Sequence, residues 1–123
     1  MSEKTILVVE DTQDNLDLIQ FLLEGAGYRV LTAMDGETCL ALTRRHLPDL
    51  LLLDLAIPEP DGWEVAATLK GDSATRGVTI VAITARTMPD DRRRAMAAGC
   101  DGFISKPIDV AGFAEEVHSF IVR

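Results

Sequence analysis

The feature that most limits the folds open to this chain is a regular alternation of short apolar runs with helical periodicities, from one end to the other. The runs are Thr5–Val9, Arg29–Ala33, residues 49–53, Thr79–Thr84 and Gly102–Ser105. Leu50-Leu51-Leu52-Leu53 and Ile80-Val81-Ala82-Ile83 are apolar without alternation, as expected of strands covered on both faces. Arg29–Ala33 mixes polar and apolar residues and suits a sheet edge. Ile19, Leu22, Leu23 and Ala26 fall at i, i+3, i+4 and i+7, and Gly25 to Gly27 supplies a stop. Further helices are expected over 36–47, closed by Pro48, over 62–70, ended by Gly71, and over 89–98, with a first-turn proline and Gly99 after it. Phe113, Val117, Phe120 and Ile121 carry the last one. Five strands alternating with five helices dictate right-handed crossovers, hence a doubly wound α/β unit: a parallel sheet with helices on both faces. The 123 residues contain no linker, repeat or low-complexity segment, so the whole chain, 1–123, is one domain.

In open α/β sheets, sites form beyond the carboxyl ends of the strands, where strand order reverses. Glu10-Asp11 follows the first run, Asp54 follows the third, Thr84-Ala85 ends the fourth, and Lys106-Pro107 stands just past the fifth. Three carboxylates gathered without compensation repel, and at least one stays protonated. A divalent cation removes that conflict. Oxygen ligands favour Mg²⁺, which takes one or two carboxylates, a carbonyl, waters and a phosphate oxygen. Asp11 and Asp54 are the natural direct ligands, with Glu10 acting directly or through water. Such a site is complete only when a phosphoryl oxygen arrives. A carboxylate can attack phosphorus and form an aspartyl-phosphate. Phosphoryl transfer asks the protein mainly for positioning and charge stabilisation. Lys106 offers a second positive charge, the Thr84 hydroxyl a donor, and backbone N–H groups near Ala56 and Ala85 the remainder.

The formal net charge of −8 argues against a nucleic-acid surface, which needs clustered Lys and Arg. Acidity of this size serves solubility or a concentrated cation site, and composition does not separate the two. No apolar stretch approaches a membrane span, and the first residues lack the features of a signal peptide. Cys39 and Cys100 have neither metal-ligand spacing nor a disulfide framework, so a reducing cytoplasm is the simplest home.

Taken together, the residues resemble a two-component response-regulator receiver domain over the entire chain. The resemblance rests on Glu10-Asp11, on Asp54-Leu55-Ala56-Ile57-Pro58 followed by Asp61-Gly62, on Thr84-Ala85, and on Phe103-Ile104-Ser105-Lys106-Pro107. It implies a flavodoxin-like sheet of order 2-1-3-4-5. It implies that Asp54 accepts a phosphoryl group from a phosphohistidine on a sensor histidine kinase or phosphotransfer protein. Glu10, Asp11, Asp54 and the Ala56 carbonyl would hold Mg²⁺; Thr84, Lys106 and the backbone at Ala56 and Ala85 would contact the phosphoryl oxygens. Phe103 would be the aromatic whose burial tracks Thr84, and the Lys106-Pro107 peptide would be cis, aiming the ammonium inward. Such a domain promotes its own phosphotransfer and dephosphorylation rather than turning over a substrate. A downstream protein would bind the fourth helix, fifth strand and fifth helix, with no direct role for nucleic acid or membrane. Ile57 stands where Met is common, Pro60 adds a second proline to the loop, and Ala56 and Arg86 occupy two variable positions flanking the phosphoryl site. No output module follows Arg123, which reads as a stand-alone receiver; one cut from a larger regulator or hybrid kinase is the alternative.

Plainer readings stand beside these. Glu10-Asp11 and Asp54 could each be turn or cap residues, although jointly, with Thr84 and Lys106, that reading weakens. Phe103 serves equally as a core aromatic. Cys39 reads as a small core residue and Cys100 as inert. His46, His118 and Arg92-Arg93-Arg94 read as solvated helix faces, the arginines alternatively as a groove for an acidic partner, and Trp63 as an anchor for its helix. An aspartyl-phosphate phosphatase typically carries a second Asp two residues after the nucleophile, where this chain has Ala56. A flavodoxin-like cofactor binder needs a first loop rich in Gly, Ser or Thr, and this one opens on two acids.

Overall fold

A computed structural model describes residues 3–85 and 88–121. Its elements run β1 (Thr5–Val9), α1 (Gln13–Gly25), β2 (Arg29–Ala33), α2 (Gly36–His46), β3 (Leu50–Asp54), α3 (Gly62–Gly71), β4 (Thr79–Thr84), α4 (Pro89–Ala97), β5 (Gly102–Ser105) and α5 (Phe113–Ile121). All strand pairings are parallel and the sheet order is β2-β1-β3-β4-β5, as the resemblance implies.

The unbroken apolar runs are explained by two cores, one on each face of the sheet. Side chains alternate across a strand. Leu7, Val9, Leu51, Leu53, Ile80 and Ala82 therefore face one way, where they pack with Cys39, Val65, Ala66, Leu69 and Ala95 from α2, α3 and α4. Ile6, Val8, Leu50, Leu52, Val81, Ile83 and Ile104 face the other way, onto Leu16, Ile19 and Leu23 of α1 and Phe113 and Val117 of α5. The mixed run at Arg29–Ala33 is indeed the edge strand, with only Ala33 fully buried.

Boundaries differ from the sequence reading at a few points, each for a local reason. The third strand is Leu50–Asp54 rather than 49–53. Asp49 instead clasps the start of β1: its N–H donates to the Thr5 carbonyl at 2.9 Å, and its carboxylate accepts from the Thr5 N–H at 2.7 Å. Asp54 is thus the last residue of β3, paired in register with Ile83, and not the first residue beyond it. Helix α2 stops at His46 because Leu47 turns left-handed (φ 47°) and its N–H closes on the Thr43 carbonyl. Helix α3 takes in Gly71, and Ala98 caps α4 instead of belonging to it. The stop after α1 falls where expected, with Gly27 at φ 97°. Both Lys106–Pro107 and Glu59–Pro60 are cis; only the first was expected.

Candidate functional site

Register alone assembles the site. Val9 pairs with Leu53, so Glu10 lies level with Asp54 at the point where the chain order reverses between β1 and β3. Asp54 pairs with Ile83, one residue short of Thr84, and Thr84 pairs with Ser105, one short of Lys106. The Lys106 N–H donates to the Thr84 carbonyl at 2.9 Å, fixing the loop after β5 to the end of β4. Glu10, Asp54, Thr84 and Lys106 therefore meet at one edge of the sheet, while Phe103 pairs with Ala82 two residues back from it.

The geometry there is that of a charge cluster short of cations. Lys106 Nζ donates to Glu10 Oε1 at 2.7 Å and to Asp54 Oδ2 at 2.9 Å, and both carboxylates are buried. The Ala56 N–H donates to Asp54 Oδ1 at 2.9 Å. Asp11 is exposed, yet one oxygen from each of Glu10, Asp11 and Asp54 lies within 4.8 Å of the others. Asp11 is not spent as a helix cap, since the N-cap of α1 is Thr12. One lysine among three carboxylates leaves the cluster undercompensated. Burial, reinforced by the neighbouring Asp54 carboxylate, pushes Glu10 up to about 7 against the pull of Lys106. Burial also works to raise Asp54, but its interaction with Glu10 and the hydrogen bonds from the Ala56 N–H and Lys106 outweigh it and hold the carboxyl below its ordinary value. Lys106 is held above its ordinary value: burial opposes its charge, and the two carboxylates more than offset that.

One oxygen of the cluster, Glu10 Oε2, is buried and has no hydrogen-bond partner among the described residues. A native buried acceptor left unpaired calls for an explanation. A divalent cation seated between these carboxylates supplies one, because it would ligate oxygen and cancel the excess negative charge together. The donor set is all oxygen, which suits Mg²⁺.

Around the cluster, Glu10, Ala85 and Lys106 open into a cleft of about 320 Å³ whose other walls are Asn15, Leu18, Ile19, Pro107 and Ile108. Sequence reading did not place the α1 residues here; the only signal was their position in the first turns after an acidic loop. Ala56 and Ala85 are both exposed, so neither side chain obstructs the acidic edge. Thr84 is buried, and by strand alternation it lies on the α2–α3–α4 side of the sheet, the side on which Phe103 packs half-buried. Arg86 lies outside the described residues.

The remaining sequence readings separate cleanly. Cys39 and Cys100 are buried and unpaired, as expected of inert core thiols. Trp63 does anchor α3, inside the core. His46 is solvated, while His118, also exposed, makes a 2.7 Å hydrogen bond with the Tyr28 hydroxyl. Arg92, Arg93 and Arg94 are all exposed, as the solvated-face reading expects, but two of them also make contacts that it did not include. Arg93 pairs with Asp90, but Arg92 sits 5.0 Å over the Phe103 ring and Arg94 4.3 Å over Trp63. Aromatic rings lying behind a helix leave no trace in that helix's own sequence.

Comparison with known proteins agrees with this geometry. The family model for the response regulator receiver domain matches residues 6–118. The polar-differentiation response regulator DivK of Brucella anthropi is 39% identical over 118 residues, covering 96% of both chains. The receiver domain of a Pseudomonas aeruginosa sensor histidine kinase, solved with a magnesium ion coordinated in its active-site cleft, superposes with a TM-score of 0.90 at 29% identity, covering 99% of this chain and 100% of that one. The phosphorylated cyanobacterial phytochrome response regulator RcpA gives 0.82 at 28% identity, with 96% and 91% covered.

Proposed function

The chain belongs to the response regulator receiver domain family, and from that premise we propose that Asp54 is its phosphoacceptor. The observation that carries the assignment is the buried Glu10–Lys106–Asp54 cluster with its unpartnered Glu10 oxygen. Asp54 is the carboxylate in it that is held ionised, and Lys106 already touches one of its oxygens. An ionised carboxylate needs no general base.

In the proposed reaction, a carboxylate oxygen of Asp54 forms a bond to phosphorus as the phosphorus–nitrogen bond of a phosphohistidine breaks, leaving the electron pair on the imidazole nitrogen. The donor is a sensor histidine kinase or a phosphotransfer protein. Lys106, with two carboxylate contacts in the structure, is placed to turn its charge toward the incoming phosphoryl oxygens. The Thr84 hydroxyl and the N–H groups at Ala56 and Ala85 are the remaining donors. Glu10, Asp11, Asp54 and the Ala56 carbonyl are the groups that would hold Mg²⁺. That ion, when bound, would neutralise carboxylate and phosphoryl charge. Hydrolysis of the acylphosphate at the same site would reset the protein. The exposed, small Ala56 leaves the way to Asp54 open to water.

Phosphorylation adds a charge of about −1.5 to −2 at this edge. Drawing the end of β4 toward it would carry Thr84 along, and Phe103, on the same side of the sheet, would follow inward. A partner reading α4, β5 and α5 would sense that change. A swing from 1:99 to 99:1 would need about 5.5 kcal/mol of differential stabilisation. The free, buried thiols fit a reducing compartment such as the cytoplasm. Peptide mapping after treatment with acetyl phosphate and Mg²⁺ tests the assignment: one hydroxylamine-labile phosphoryl group on the peptide carrying Asp54 is expected. A hydroxylamine-resistant ester, on Thr84 for example, would overturn it.

A further inference from the structure

Helix α4 is held to the body in an unusual way. Of its residues only Ala95 is buried, and Met96 and the N-cap Met88 are exposed. Such a helix gains little from apolar burial. Two arginines make up for it: Arg92 lies over Phe103 of β5 and Arg94 over Trp63 of α3. The two aromatic rings belong to different elements, so α4 bridges them like a clasp with two points of contact.

Both points lead back to the acidic edge. Trp63 follows Gly62, and a Cβ added at Gly62 would stand 2.5 Å from Leu55 Cα and 2.9 Å from the Asp54 carbonyl oxygen. Backbone packing that close leaves the start of α3 no room to move independently of Asp54. Phe103 lies on the same face of the sheet as Thr84 and is only half-buried, with the guanidinium of exposed Arg92 5.0 Å over its ring. An inward ring would leave that guanidinium with nothing to stack on.

From this we infer that Arg92 is a positioning residue: its cation–π stack holds Phe103 in the half-buried position and opposes the inward movement that phosphorylation favours. The inference rests on the proposed switch, and it supplies a restraint that the charged site does not. Arg suits the role better than Lys, because a planar guanidinium stacks on a ring as well as carrying charge. An exposed stack of this kind shifts a two-state balance by about two- to five-fold. The restraint therefore tunes the switch without locking it.

The test is fluorine NMR on protein carrying 4-fluorophenylalanine, with the Phe103 signal assigned by Phe103→Leu. The solvent isotope shift between H₂O and D₂O reports exposure of that ring. A guanidinium that merely covers the ring would, when removed in Arg92→Gln, leave it more exposed and the isotope shift larger. A stack that restrains the ring predicts the opposite sign: a smaller isotope shift, with the inward-to-outward ratio up about two- to five-fold. Arg92→Lys should fall between, and Arg93→Gln, which touches no ring, should match the parent. An unchanged or larger isotope shift in Arg92→Gln would overturn the inference. These spectra need no phosphodonor, so a parent that takes no phosphoryl group would sink the Asp54 assignment while leaving the role of Arg92 to be decided by its own sign.

Discussion

At the scale of single residues, the site is a contest between burial and charge. Asp11 is the simplest member to remove, being exposed and free of any capping duty. Asp11→Ala should leave unfolding free energy within about 0.5 kcal/mol in urea titrations. The same change should weaken Mg²⁺ binding by about tenfold or more, read by isothermal titration. Equal Mg²⁺ affinity in parent and variant would remove Asp11 from the ligand set. The cysteines make the opposite case, groups that burial silences. Burial is the main cause that pushes Cys39 and Cys100 each up to about 11. Both thiols are therefore protonated in the native state at pH 8, and alkylation by iodoacetamide there should proceed only through unfolding. The sign for stability follows. A thiol whose native pKa is raised costs nothing below about 9, the ordinary value for an unperturbed thiol, and subtracts stability as pH climbs from there toward 11. Residue types at strand ends were legible in the sequence because chemistry concentrates there. The hydrogen bond joining Tyr28 to His118 was not, since ninety positions of chain separate its two ends.

At the scale of elements, the entry to α3 is the tightest joint near the site. Asp61 caps it by accepting from the Glu64 N–H at 3.0 Å, and Gly62 lies directly on the Asp54–Leu55 backbone. Asp61→Ala should cost about 0.5–2 kcal/mol, as loss of an N-cap does, without altering the site. Gly62→Ala forces a methyl group against main chain that cannot rotate away. It should cost about 1–3 kcal/mol in urea unfolding and also slow phosphorylation, because the displaced backbone is that of Asp54. A Gly62→Ala protein with parental stability would show that the joint yields. Element identity was readable because period and punctuation are local. Element ends were less so: the shift of β3 by one residue depends on Asp49 finding Thr5, a partner on another strand. The aromatic seats of Arg92 and Arg94 were hidden for the same reason.

At the scale of the whole molecule, two cores on opposite faces make the sheet a rigid frame, and the strand order places its one reversal beneath Glu10 and Asp54. Topology thus delivers the Glu10-Asp11 pair, Asp54, Thr84 and Lys106 to one edge from four separate stretches of the chain. Among the described residues no helix is long and apolar enough to cross a membrane. The net charge of −8 is spread over the chain, yet the part that matters is the buried cluster at that edge. The most direct test of the central claim is intact-mass spectrometry after incubation with acetyl phosphate, with and without Mg²⁺, beside an Asp54→Asn control. The account predicts a gain of one phosphoryl group that requires Mg²⁺ and is absent from Asp54→Asn. An equal gain in Asp54→Asn, or no gain and no Mg²⁺ binding in the parent, would contradict it.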